Sequence, residues 1–164
     1  INENITRKIC YIFLLFSFVI YINYGNNLLM RKFELKRSDF SYSYKVATRW
    51  KDMDSYGHVN NATYLTYFED ARITMIKKWK LKEKSLIVAS IKVDYLAQIK
   101  HPSNLKVCAK VSRVGGSSFD VLSYIFEEGS DKPVAVSTIV VVCFDYERQR
   151  PVRVFPQILE EVKE

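Results

Sequence analysis

Cysteine is scarce in this chain of 164 residues: three are present, Cys10, Cys108 and Cys143. An odd count with no C-x-x-C spacing excludes a disulfide framework and a thiolate zinc site. Cys108 and Cys143 lie in apolar, strand-like runs and read as reduced core residues, which points to a reducing, cytoplasmic setting. Internal repeats and low-complexity tracts are also missing. Basic clusters are absent too. The net charge is +7, yet the lysines and arginines are spread along the chain, so a nucleic-acid groove has no support. That charge reads as a lysine-rich surface, or as attraction to anionic lipid or a phosphorylated ligand.

No apolar run reaches the ~18 residues of a spanning helix. The longest, CYIFLLFSFVIYINY, follows Arg7-Lys8 and ends at Tyr24, and no small-x-small cleavage pattern comes after it. The first methionine is Met30. Residues 1–29 are therefore read in two ways, as upstream sequence that the functional protein does not carry or as a targeting or anchoring segment. Membrane contact is expected only if they are retained, and the intact mass of the natural protein decides between the two. Residues 30–164 form one domain, long enough for a single core.

What the sequence does have is concentrated between Arg49 and Arg72, RWKDMDSYGHVNNATYLTYFEDAR. Two carboxylates (Asp52, Asp54), Gly57, His58, Asn60 and Asn61 precede a helix-periodic stripe of Tyr64, Phe68, Ala71, Met75 and Trp79. This order puts titratable groups at the mouth of a buried helix, where backbone N–H groups lack partners. Asn60 or Asn61 is the expected N-cap. Acids near the helix start and lysines near its end are expected to complement its dipole. Gly57 suits a left-handed turn.

Before the loop, Phe40 to Trp50 alternates like a half-buried strand. After the helix come four strand candidates, Ser85 to Ala97, Asn104 to Val114, Ser117 to Glu128 and Pro133 to Glu147, separated by turn chemistry. The last is the most continuously apolar, as an interior strand should be. A short helix, Pro156 to Val162, closes the chain. The order predicts an α+β fold, one curved antiparallel sheet wrapped around a long central helix.

The phrase Arg-Trp-x-Asp-x-Asp-x-x-Gly-His-Val-Asn-Asn-x-x-Tyr, followed by Tyr-Phe-Glu-x-Ala-Arg, resembles the hotdog-fold thioesterases. It is similar to the 4-hydroxybenzoyl-CoA and acyl-CoA branch, and to the plant acyl-ACP enzymes. The likeness runs from about Tyr42 to Phe155. It implies that Asp54 is the catalytic carboxylate and that His58 matches a catalytic histidine of the plant branch. It also implies that the backbone N–H at Asn61 faces the thioester carbonyl. Tyr56 and Gln98 stand where the plant branch has an asparagine and a glutamate, so that mechanism does not transfer whole. Arg113, Ser117 and Ser118, around Gly115-Gly116, are implied coenzyme A contacts, and Tyr64 a pocket-lining residue. Glu69 is the reserve carboxylate, because some hotdog thioesterases place theirs on the helix. An acyl-CoA substrate, no cofactor, no metal and a homodimer or homotetramer are the further implications.

The alternatives differ in chemistry. A domain on the same scaffold could bind acyl-CoA without hydrolysing it. An acyl-ACP thioesterase or a hotdog dehydratase built on His58 with Glu69, or on His101, are others. Asp52, Asp54 and His58 could form a cation site, although a calcium loop is excluded by Tyr56 and Thr63 at its fifth and twelfth positions. Asp52 is expected to be a turn-former.

Overall fold

The computed structural model describes residues 35–81 and 85–162; the apolar segment of residues 1–29, with Cys10, lies outside them. Six long elements follow the expected order, and two short ones close the chain. They are β1 (Tyr42–Ala47), α1 (Asn61–Lys77), β2 (Leu86–Tyr95), β3 (Asn104–Val114), β4 (Ser118–Glu127), β5 (Pro133–Asp145), β6 (Arg150–Pro151) and α2 (Pro156–Glu160). The main sheet runs β1-β3-β4-β5-β2, and every pair in it is antiparallel. Among the described residues, no helix is long and apolar enough to cross a membrane.

The crossover explains the shape. β1 lies at one edge and β2 at the other, so α1 must traverse the inner face between them. It can do so because Tyr64, Tyr67, Phe68, Ala71 and Met75, spaced three or four apart, are all buried. They pack on Val107, Val121, Ile125, Ile139 and Val141 of the sheet. Burying each large side chain contributes about 1.5–3 kcal/mol. Register shifts at Val88/Ser90, Val111/Arg113 and Ile125/Phe126 sharpen the local twist that curls the sheet around the helix. At the far end, the Trp79 indole N–H donates to Glu161 at 2.8 Å, and Ile158 of α2 is buried in the core.

Three features differ from expectation. The first strand stops at Ala47, because Trp50–Asp52 coil into a 3-10 turn closed by Arg49 and Asp52. No acid lies in the first turn of α1. Since the helix begins at Asn61, Glu69 and Asp70 fall in its third turn and do not compensate the dipole at its start. β6 was not foreseen, being only two residues paired with Phe144 and Asp145. Cys108 and Cys143 are buried and unbridged, as expected.

β2 is an exposed edge with apolar content: Ile87, Val88, Ile91 and Tyr95 are open to solvent, as are Leu65 and Ile73 of α1. An unpaired edge of this length and character is a template for pairing with another chain.

Candidate functional site

The loop that leads into α1 is held by Asp52, which is 3% exposed. Its carboxylate accepts from the Arg49 backbone N–H at 2.7 Å, from the Arg49 guanidinium at 3.0 and 3.1 Å, and from the Tyr67 hydroxyl at 2.7 Å. Its carbonyl accepts from the Asn60 N–H at 2.8 Å. Burial alone would raise its pKa. The hydrogen bonds from Arg49 and Tyr67 outweigh that and hold it below the ordinary carboxylate value. The same bond and burial push the Tyr67 phenol well above its usual range. With both oxygens engaged, Asp52 is the anchor of the loop, and the cation site of Asp52, Asp54 and His58 loses a ligand.

Asp54 is placed differently. Residues 54–58 close on themselves: the Asp54 N–H donates to the His58 carbonyl at 2.8 Å, and the Gly57 N–H donates to the Asp54 carbonyl at 3.2 Å. Gly57 takes φ +78°, a conformation that suits glycine. Asp54 Oδ1 accepts from the Tyr56 N–H at 2.8 Å and the His58 N–H at 3.3 Å. Asp54 Oδ2 has no hydrogen-bond partner among the described residues. The half-buried carboxylate is thus fixed by one oxygen while the other is uncommitted. The His58 imidazole has no hydrogen bond among these residues either, and the Tyr56 side chain points into solvent at 84% exposure.

Immediately after this loop, the Val59 N–H donates to the Ile99 carbonyl and the helix begins. Asn60 is the N-cap, its side chain accepting from the Ala62 N–H at 2.9 Å while its carbonyl accepts from the Thr63 N–H. The Asn61 N–H is left without an acceptor among the described residues, at the positive end of a 17-residue helix. From β2, the Tyr95 hydroxyl donates to the Asn61 carbonyl at 3.0 Å, and its ring meets that of Tyr64 edge-on at 5.1 Å. Tyr64 is buried, with its hydroxyl toward the Ala97 carbonyl, and burial raises its pKa.

One turn further along α1, a cavity of about 120 Å³ opens between the helix and the β2–β5 edge. Leu65, Thr66, Phe68, Glu69 and Arg72 form its helical wall, and Ile91 and Ile139 its sheet wall. Glu69, the reserve carboxylate, is 57% exposed and accepts from the Arg72 guanidinium at 3.0 Å. It therefore serves first as the partner of a buried cation. Arg72 was not anticipated as a functional residue. Its signal was a charge on the buried stripe, one turn after Phe68.

The predicted residues fall into two groups. Asp54, His58, Asn61 and Tyr64 are brought together at the loop–helix junction. Arg113, Ser117 and Ser118 are not. They surround the β3–β4 hairpin, whereas the junction lies by Ser103, whose carbonyl accepts from the Thr48 N–H. Ten residues of strand at about 3.3 Å each separate Ser103 from Arg113, roughly 33 Å. Arg113 is bonded through two nitrogens to Asp120, at 2.7 and 2.9 Å, and the Gly115 N–H donates to the Ser118 carbonyl at 2.7 Å. His101 also has a structural role, its Nδ1 lying 3.1 Å from the Thr48 hydroxyl.

A curled antiparallel sheet wrapped around one long helix defines the hotdog fold. The family model described as the thioesterase-like superfamily matches residues 48–162, and the chain belongs to that superfamily, whose activity is acyl-thioester hydrolysis. Among curated proteins, the uncharacterized protein YsmA of Bacillus subtilis is 35% identical over 114 residues, covering 67% of this chain and 77% of its own length. The long-chain acyl-CoA thioesterase FadM of Escherichia coli is 24% identical over 126 residues, covering 73% and 96%. A crystal structure of a Thermus thermophilus thioesterase complexed with coenzyme A and Zn superposes with a TM-score of 0.68. It is 29% identical and covers 76% of this chain and 99% of its own.

Proposed function

We propose that the protein hydrolyses acyl-CoA thioesters, with Asp54 as general base or nucleophile and the Asn61 N–H as the donor that polarises the thioester carbonyl. One observation carries this reading. At the helix mouth, among the described residues, a donor without an acceptor follows closely on a carboxylate oxygen without a donor. The names of FadM and of the coenzyme A-bound Thermus structure support coenzyme A as the carrier.

The chemistry needs few parts. As a base, Asp54 takes a proton from water, and the hydroxide oxygen adds to the carbonyl carbon. As a nucleophile, it adds directly and water then cleaves the anhydride. In either case the carbonyl π electrons move onto oxygen, where the Asn61 N–H and the dipole of α1 face the new charge. Collapse breaks the C–S bond. The leaving thiol, with a pKa near the ~8.5 of free cysteine, departs as thiolate without strong acid help. His58 orients water or shapes the pocket in this scheme.

Thiol release from a panel of acyl-CoAs tests the reading. Hydrolysis with saturable kinetics supports it, and tight binding without thiol release would assign the protein as a binding module. We further propose that two copies pair through β2, covering Ile87, Val88 and Ile91. Light scattering is expected to give a dimer or tetramer at micromolar concentration, and Ile91→Lys to shift it toward monomer.

A further inference from the structure

The two tryptophans of this chain are placed in opposite ways. Trp79 is 6% exposed in the core, whereas Trp50 is 80% exposed on the loop that leads to Asp54. An indole left this open forgoes the burial that its large apolar surface ordinarily finds. Its ring meets that of His101 edge to face at 5.8 Å, and His101 is itself tied to the Thr48 hydroxyl. The indole is therefore steadied without being covered.

Positive charge surrounds the ring. Arg49 precedes it, with a guanidinium that is half exposed even while it holds Asp52. Lys51 follows it, and Lys100 adjoins His101; both are exposed, and neither has an ion pair among the described residues. The two lysines lie far apart in sequence. The fold gathers them because Trp50 meets His101 and the Val59 N–H donates to the Ile99 carbonyl.

Direction assigns the ligand. In a thioester held with its carbonyl at the Asn61 N–H, the acyl chain and the carrier leave on opposite sides. The cavity one turn along α1, with Leu65, Phe68, Ile91 and Ile139 in its lining, suits the acyl chain. The carrier then leaves the other way, over the loop toward Trp50. Asp54 lies four residues after Trp50, at most about 14 Å of chain. Coenzyme A ends in an adenine, which offers a face for stacking, and in phosphates, which call for cations. The hairpin at the far end of β3 is a poorer match, since Arg113 is already engaged by Asp120. A lipid surface calls for a broad apolar face around the indole, and here its neighbours are Arg49, Lys51 and His101.

We propose that Trp50, with Lys51 and Lys100, is the platform for the nucleotide end of coenzyme A, the indole stacking on the adenine and the lysines facing its phosphates. This deepens the acyl-CoA reading and rests on it.

Trp50 is its own probe. Its fluorescence is expected to be quenched saturably by free coenzyme A and not by pantetheine, with an affinity that falls as salt is raised. The buried Trp79 serves as the internal reference. A second arm compares kcat/KM for an acyl-CoA with that for the matching acyl-pantetheine. Trp50→Ala is expected to lower that ratio by about 5- to 100-fold, and Trp50→Phe by less. Lys51→Ala combined with Lys100→Ala is expected to lower it too and to flatten its salt dependence. No quench by coenzyme A at millimolar concentration overturns the proposal, and so does an unchanged ratio in Trp50→Ala. An emission that shifts with phosphatidylglycerol vesicles or with protein concentration, and not with coenzyme A, also overturns it, making Trp50 a lipid contact or a contact between copies. Thiol release at equal efficiency from both thioesters defeats this proposal alone. Quenching by coenzyme A without thiol release upholds the platform and defeats the hydrolase reading.

Discussion

Two polar clusters in this protein look alike on paper and behave differently in space. One is the loop–helix junction, Arg49 to Asn61; the other is the β3–β4 hairpin, Arg113 to Ser118. Each has a charged residue, hydroxyl or carboxylate groups and a glycine turn. In the hairpin the bonding closes on itself, since Arg113 is taken twice by Asp120 and the Gly115 N–H by Ser118. In the junction the closure is incomplete. Asp52 is saturated, but among the described residues one oxygen of Asp54 and the N–H of Asn61 remain over. A site differs from a turn in what it leaves unpaired, because only an unpaired group can recover its solvation from a substrate.

That contrast can be broken or sharpened by substitution. Asp54→Asn keeps an oxygen to accept from Tyr56 and His58 and so keeps the loop, while removing the base. Turnover is expected to fall by ~10²–10⁴-fold with an unchanged circular dichroism spectrum, and near-wild-type rates would remove Asp54 from the mechanism. Asp52→Ala should do the reverse, unfolding the support beneath the chemistry. It strands the buried Tyr67 hydroxyl and is expected to cost about 2–3 kcal/mol by urea denaturation. The pH dependence follows from the same group. Because the pKa of Asp52 is lowered on folding, its contribution is complete above the unfolded value of about 3.9 and disappears as pH falls through the lower folded value. The acid unfolding curve of Asp52→Ala should lack that component.

Smaller effects sharpen the contrast further. Asn60→Ala removes the cap and is expected to cost about 1 kcal/mol. It also adds the Ala62 N–H to the open donors, so a loss of stability without loss of kcat would separate capping from chemistry. Arg113→Ala should change least. Its pair is exposed, so less than about 1 kcal/mol is expected in stability, and the KM for acyl-CoA should stay within a factor of two of wild type by thiol-release assay. A several-fold rise in KM would return the hairpin to the binding surface.

Much of this was readable in the chain. The stripe from Tyr64 to Met75 announced a helix buried along one side, and Gly57, Asn60 and Asn61 marked its entrance, because turns and caps are decided by neighbours in sequence. Asp52 was expected as a turn-former, and it closes the turn from Trp50 to Asp52 with Arg49. Its bond to Tyr67, fifteen residues later, was not legible, because only packing of α1 on the loop makes it. Arg72 was hidden for a related reason. A charge within an apolar stripe can snorkel to solvent, and its burial against Ile91 and Ile139 depends on β2 crossing to the far edge of the sheet. The hairpin was ambiguous, because serine, arginine and glycine suit a phosphate cradle and a tight turn equally well. The partner that engages Arg113, Asp120, is set by strand register.

Ile91 lies on the outermost strand and also forms part of the wall of the cavity. Whatever docks along that strand therefore finishes the chamber, and its departure opens the chamber to water. Specific activity should then depend on how concentrated the protein is, falling on dilution as the chamber loses its outer side and discrimination between acyl groups is lost along with it.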